Sequence, residues 1–138
     1  MNLLAPLYKV ADWLRYRGHA NLGRRGEDLA HRYLRSIGLL VVARSWRPPQ
    51  GGGEIDLVAV ETVPTGDILV FVEVKTRTPN EWSSPERNID SDKIIALRRA
   101  ARDYVRRSSA DPGRVRFDVI GITGDTVEHF RDAFPASL

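Results

Sequence analysis

The apolar segment at residues 68–76 constrains the fold of this chain more than any other feature. Side chains alternate between the two faces of a strand, and four aliphatic residues fall on one face: Ile68, Val70, Val72 and Val74. The other face begins with Leu69 and Phe71 and turns charged at Glu73 and Lys75. Because both faces begin apolar, both need cover, and the pattern predicts a central strand.

The remaining periodic segments predict the element order α(α)βββαββ. Apolar residues recur at helical spacing over residues 23–37 and 89–108. Further strands are predicted at residues 39–46, 54–61, 115–123 and 126–130. Helices flanking a mixed central sheet give the class α/β, bordering on α+β.

The domain organisation is predicted from the chain length and from the absence of linker segments. A chain of 138 residues is about one domain, and we find no repeat or flexible linker that would divide it. We expect a single domain over residues 21–138, preceded by a helical arm at residues 1–20.

Composition excludes several classes of site. The chain has no cysteine, so a disulfide framework, a thiolate nucleophile and a cysteine-based zinc site are excluded. Any metal must be held by carboxylates, imidazoles or carbonyl oxygens. We find no apolar run of the roughly 18 residues that a membrane span needs and no secretory leader. A cytoplasmic protein without a membrane partner is therefore expected.

Positive charge is concentrated in one stretch and consists mainly of arginine. The chain has 18 arginines and only three lysines, with a net charge of +3. Residues 93–116 alone hold eight basic and two acidic residues. Arginine suits phosphate oxygens, so this stretch is compatible with a polyanion partner and equally with a solvated helix face.

Two carboxylates and a lysine interrupt the apolar strands. Asp56 lies in the second strand, while Glu73 and Lys75 are neighbours on one face of the third. Buried charges need partners. Asp56 and Glu73 could converge on a divalent cation with Lys75 beside it, or either acid could form an ion pair with Lys75. Glu27 faces the sheet by its helical spacing; it is a further ligand candidate, or a first-turn carboxylate paired with Arg24 or Arg25.

Several motifs in order resemble the YraN family of bacterial proteins. They are Gly23-Arg24-Arg25-Gly26-Glu27, Gly53-Glu54-Ile55-Asp56-Leu57, Phe71-Val72-Glu73-Val74-Lys75-Thr76-Arg77, Lys93, Arg116-Phe117-Asp118-Val119, and Glu128-His129 to Ala133-Phe134. That family is similar to PD-(D/E)XK nucleases, particularly junction resolvases. The resemblance implies a restriction-endonuclease-like αβββαβ core with Asp56, Glu73 and Lys75 at the catalytic positions and Glu27 as an additional acid. In those nucleases the metal-binding aspartate usually follows a proline. In this chain it follows Ile55, and the aspartate itself, Asp56, is kept.

The predicted function is a Mg²⁺- or Mn²⁺-dependent endonuclease acting on DNA, including branched DNA. Asp56 and Glu73 would hold the metal with Glu27 and the Val74 carbonyl, and Lys75 would position water. Seven basic residues are expected to grip the DNA backbone: Arg24, Arg25, Arg77, Lys93, Arg98, Arg99 and Arg102. A homodimer is expected from the similarity to resolvases. The alternative is a non-catalytic nucleic-acid-binding or scaffolding module. For Asp118, a structural salt bridge with Arg116 is expected.

Overall fold

The computed structural model describes residues 22–77 and 90–138. This part of the chain contains two helices and five strands: α1 (Leu22–Ser36), β1 (Leu40–Trp46), β2 (Ile55–Val63), β3 (Gly66–Arg77), α2 (Ser91–Ser108), β4 (Val115–Thr123) and β5 (Thr126–Phe134). The predicted arm at residues 1–20 lies outside the described residues, as does all but the first residue of a loop that the prolines predict at residues 77–88.

The strands form one mixed sheet with the order β1-β2-β3-β4-β5. Neighbours are antiparallel except β3 and β4, which run parallel. A parallel pair needs a crossover connection, and α2 lies within the one between these two strands. The predicted α/β class and the central position of β3 are confirmed.

Each face of the sheet carries its own apolar core. On one face, α1 contributes Ala30 and Leu34 to a cluster with Val70 and Val72 of β3. On the other face, α2 contributes Leu97 and several smaller residues to a cluster with Phe71. The alternation predicted for β3 is therefore correct, and it sends Glu73 toward the α2 face.

The pairing of β2 with β3 covers only part of β3. The described ladder runs from Val63↔Gly66 to Leu57↔Val72. Beyond Val72, β3 continues beside β4 as far as Arg77↔Thr123. At this end of the sheet β2 therefore separates from β3, and the gap lies where Asp56 and Glu73 sit on the two strands.

The last strand extends four residues beyond the predicted end at residue 130. Phe134 pairs with Phe117 after a register shift in the β4/β5 ladder, and the two rings stack with their centroids 4.8 Å apart. Asp132 takes a positive φ of 52° beside this irregularity. Aromatic packing thus carries the strand past a break that strand periodicity cannot anticipate.

A candidate metal centre where two strands separate

Four carboxylates from different elements meet at the gap between β2 and β3. Glu27 comes from α1, Glu54 from the loop before β2, Asp56 from β2 and Glu73 from β3. One carboxylate oxygen each from Glu27, Glu54 and Asp56 lies within 4.8 Å of the others. Hard oxygen donors in such a group suit Mg²⁺ or Mn²⁺.

Asp56 takes the place of a main-chain partner in the gap. Its Oδ2 accepts a hydrogen bond of 2.8 Å from the Val74 N–H. Because the N–H and C=O of one residue point to the same side of a strand, the Val74 carbonyl also points toward β2. Burial, and secondly the negative charge of Glu73, raise the pKa of Asp56 to about 7. Burial and the neighbouring carboxylate thus both disfavour ionised Asp56, a conflict that a cation between the two acids would relieve.

Glu73 is the most buried of the four acids, with 7% of its surface exposed. Its Oε1 lies 3.4 Å from Lys93 Nζ, whereas its Oε2 is buried and has no hydrogen-bond partner among the described residues. Burial raises the pKa of Glu73, and the positive charge of Lys93 opposes the rise. A buried carboxylate oxygen without a partner is costly, so this atom is suited to a ligand supplied from outside.

Two lysines lie beside the carboxylates. Lys75 is half-buried on the same face of β3 as Glu73, and its charge also lowers the Glu73 pKa. Lys93 reaches the site from the first turn of α2, where Asp90 caps the helix by accepting a 2.8 Å hydrogen bond from the Lys93 N–H. The closest cation to Glu73 among the described residues is thus Lys93, rather than Lys75 as the ion-pair alternative assumed.

The other two acids of the site each contact an arginine. Glu27 Oε2 lies 3.7 Å from the Arg44 guanidinium and accepts a 3.4 Å hydrogen bond from Ser45 Oγ. Burial and the charge of Asp56 raise the pKa of Glu27. Glu54 accepts a 2.6 Å hydrogen bond from Arg47 Nε. Of the two arginines expected as alternative partners of Glu27, Arg25 instead binds Asp125 at 2.8 Å.

Sequence reasoning missed Glu54 as a member of this group. Its spacing of two from Asp56 was the available signal, because residues i and i+2 share a strand face. Glu54 lies just before β2 begins at Ile55. Its carboxylate therefore depends on the path of the preceding glycine-rich loop, which strand alternation does not describe.

The predicted nucleic-acid contacts fall into three groups. Arg24, Arg25, Arg99 and Arg102 are exposed. Arg98 donates to the Pro135 carbonyl, and Arg77 is 17% exposed and bound to Glu128 and Thr123. Lys93 contacts Glu73 of the site. Arg25, Arg77 and Arg98 thus already have protein partners, whereas Arg99 and Arg102 make no hydrogen bond or ion pair with the described residues.

A second buried acid, Asp118, belongs to a separate network on β4. It accepts hydrogen bonds from Arg116 Nε at 2.7 Å, His129 Nε2 at 2.7 Å and the Asp132 N–H at 3.0 Å. Burial opposes ionisation, but these hydrogen bonds outweigh it and lower the pKa of Asp118. The expected Arg116–Asp118 salt bridge is confirmed.

Neither helix in the described part of the chain is long and apolar enough to cross a membrane.

Comparison with known proteins places the chain in a family. The model of the uncharacterised protein family UPF0102 matches residues 26–122, which include every carboxylate and lysine of the site. A UPF0102 protein of Solibacter usitatus (strain Ellin6076) is 48% identical over 136 residues, covering 96% of this chain and 100% of the relative. One of Rhodococcus opacus (strain B4) is 43% identical over 118 residues, 82% of this chain and 95% of the relative. The chain therefore belongs to the UPF0102 family, which is the YraN family that its motifs resemble.

Proposed function

We propose that this protein is a Mg²⁺- or Mn²⁺-dependent endonuclease that hydrolyses phosphodiester bonds in DNA, including branched DNA. The observation that carries the proposal is the buried Asp56–Glu73 pair where β2 and β3 separate. Among the described residues, Glu73 Oε2 finds no donor except a proton shared with Asp56. A merely structural acid would have both oxygens satisfied, as Asp118 does. Two adjacent buried acids that must share a proton are instead suited to a cation.

The residues that would hold the metal are Asp56 and Glu73, completed by Glu27 or Glu54 and the Val74 carbonyl. Glu27 and Glu54 each direct one named oxygen toward an arginine or serine, so each has a second oxygen to offer. A divalent cation held there would supply Lewis-acid polarisation of the scissile phosphate and a counter-charge.

The two lysines would position the attacking water and stabilise negative charge. Lys75, on the Glu73 face of β3, would position the attacking water for in-line displacement at phosphorus. Lys93 would keep the Glu73 carboxylate oriented through its 3.4 Å contact. Its ammonium would also stabilise negative charge that develops on the phosphate, where preorganised donors have their largest effect.

Exposed arginines would bind the DNA without reading its sequence. Arg24 and Arg25 lie at the start of α1, and Arg99 and Arg102 lie on α2. Guanidinium groups bind phosphate oxygens, which carry no base information. We extend the proposal to a homodimer, as the similarity to junction resolvases implies, because two linked active sites would match a branched substrate.

The test is a cleavage assay on duplex, single-stranded, flap and four-way-junction DNA with Mg²⁺, Mn²⁺ or EDTA. We expect cleavage of at least one substrate that requires the metal. Glu73→Gln and Lys75→Ala should each reduce the rate at least about 100-fold while DNA binding is kept. The matched control is Glu128→Gln, which makes the same chemical change at an exposed carboxylate of β5. Cleavage by Glu73→Gln at the parent rate would overturn the proposal.

A second candidate is a nucleic-acid-binding or scaffolding module without turnover. The contact between Lys93 and Glu73 favours it, because it partly compensates the buried carboxylate without any metal. This candidate predicts salt-dependent DNA binding with no cleavage under any metal. It also predicts that Lys93→Met destabilises the fold, whereas a catalytic Lys93 would mainly affect the rate.

A further inference from the structure

A cleft on the outer side of α2 is lined by arginines and by a glycine-rich loop. The loop at residues 48–52 forms one wall, and the opposite wall carries Arg99, Arg102, Asp103 and Arg106. We call this feature the arginine cleft. Its ionisable side chains carry a net charge of +2, which favours an anionic ligand.

The charged side chains of the arginine cleft differ in whether they already have an ion-pair partner. Asp103 is 8% exposed and is bound by Arg106 and, at 2.8 Å, by Arg107. Its negative charge is thus already neutralised within α2. Arg99 and Arg102 are exposed and have no hydrogen-bond or ion-pair partner in the described ranges. These two guanidinium groups are therefore the ones that can bind a ligand.

The facing loop carries no charged side chain. It lines the cleft with Pro48, Gln50 and two glycines. Gly51 and Gly52 adopt φ values of 86° and 112°, which residues with a Cβ rarely take, and a 3.0 Å hydrogen bond from the Gly51 N–H to the Pro48 carbonyl closes the turn. At the two glycines a DNA strand can approach the protein backbone closely.

The same loop connects the arginine cleft to the candidate metal centre. Gly53 packs so closely on α2 that an added Cβ would lie 2.9 Å from the Ala96 carbonyl oxygen. The next residue is Glu54 of the carboxylate group. Arg99 and Arg102 follow Lys93, which contacts Glu73 of the site, by six and nine residues. That separation is about 9–14 Å along the helix axis. Phosphates of one B-DNA strand rise about 3.4 Å each, so these arginines lie roughly three to four nucleotides from the site.

We propose that the arginine cleft binds the phosphate backbone of a DNA strand a few nucleotides from the phosphate at the metal centre. Arg99 and Arg102 make the direct contacts, and the loop at residues 48–52 closes the other side of the strand. This inference rests on the proposed function for its second anchor point, the carboxylate site. Because its contacts are to phosphate alone, binding here is independent of base sequence.

The test measures DNA affinity against salt in a Glu73→Gln background with EDTA, so that no turnover interferes. Fluorescence anisotropy with labelled duplex and four-way-junction DNA gives the slope of log K against log salt concentration. Arg99→Ala/Arg102→Ala removes two phosphate contacts, and the slope on duplex should fall by about 1.8 in magnitude. The matched control is Arg32→Ala/Arg131→Ala, which removes the same charge from two exposed positions outside the cleft and should leave the slope near the parent value.

The outcomes separate this inference from the proposed function. DNA binding in the arginine cleft would be contradicted if the Arg99→Ala/Arg102→Ala variant kept the salt slope of the parent protein. An equal fall of the slope in the control variant would contradict it too. Absence of DNA binding by the background protein would overturn it as well. If the slope falls as expected while the wild-type protein cleaves no DNA with either metal, the cleft stands and the nuclease proposal fails. Thermal melting of each variant verifies that lost binding is not lost folding.

Discussion

Asp118 and the Asp56–Glu73 pair are buried acids on neighbouring parts of one sheet, but their environments are opposite. Hydrogen bonds from Arg116, His129 and a backbone N–H lower the Asp118 pKa. At the other site, burial and mutual repulsion raise the Asp56 pKa to about 7, and Glu73 keeps an oxygen without a described partner. A protein holds its structural acids ionised with cations of its own. Adjacent acids whose ionisation burial disfavours are better explained by a ligand, because they weaken the fold that contains them.

The largest change in stability is expected from Asp118→Ala. Removing this carboxylate leaves the Arg116 guanidinium, only 15% exposed, with Glu61 as its acidic partner among the described residues. We expect a loss of about 3–5 kcal/mol in the free energy of unfolding, as for other broken buried ion pairs. Urea unfolding measures the loss. A cost below about 1 kcal/mol would show that the Asp118 network is not the structural counterpart assumed here.

Asp56→Asn is expected to raise the free energy of unfolding, whereas Asp118→Ala lowers it. Asparagine keeps an oxygen that can accept the Val74 N–H, yet it removes the charge that burial and Glu73 disfavour. We expect the metal-free protein to gain about 2 kcal/mol at pH 8, on the scale of about 1.4 kcal/mol per pKa unit. Asp125→Asn, at an exposed position, should change stability by less than about 0.5 kcal/mol. A destabilised Asp56→Asn protein would make Asp56 a structural acid like Asp118.

The contrast between the two acids was only partly accessible from sequence. Arg116 and Asp118 are two residues apart on one strand, so simple alternation predicts their salt bridge. Alternation also places Glu73 on the α2 face of a central strand. The contact between Glu73 and Lys93 joins residues that are close only because α2 crosses back over the sheet, and strand periodicity contains no information about that crossover.

The separation of β2 from β3 could not be predicted from the sequence either. Two apolar segments predict two strands, but the residue at which their pairing stops depends on packing across the whole sheet. That endpoint brings Glu54 and Asp56 together with Glu27 in the carboxylate group. Family motifs indicated which residues matter, whereas the geometry of the gap explains why they are together.

The pH dependence of stability tests the same contrast with a smaller effect. A carboxyl whose pKa is raised in the folded state contributes stability that is present below its unfolded value near 4 and is lost as pH rises through the folded value near 7. The metal-free wild-type protein should therefore lose stability relative to Asp56→Asn between pH 4 and pH 7, by less than the difference of about 2 kcal/mol expected between the two proteins at pH 8. Parallel stability curves for the two proteins would contradict the raised pKa.

The smallest expected effect is stabilisation by the metal itself. A ligand that binds only the folded state raises the free energy of unfolding by about 1.4 kcal/mol at ten times its dissociation constant. Mn²⁺ or Mg²⁺ should therefore raise the melting temperature of the wild-type protein, and the shift should grow with pH because the ligands must be deprotonated. Glu73→Gln should lose the shift, and Glu61→Gln, in the Arg116 network, should keep it. An equal shift in all three proteins would place the cation outside the gap between β2 and β3, and the close approach of the buried Asp56 and Glu73 would then need another explanation.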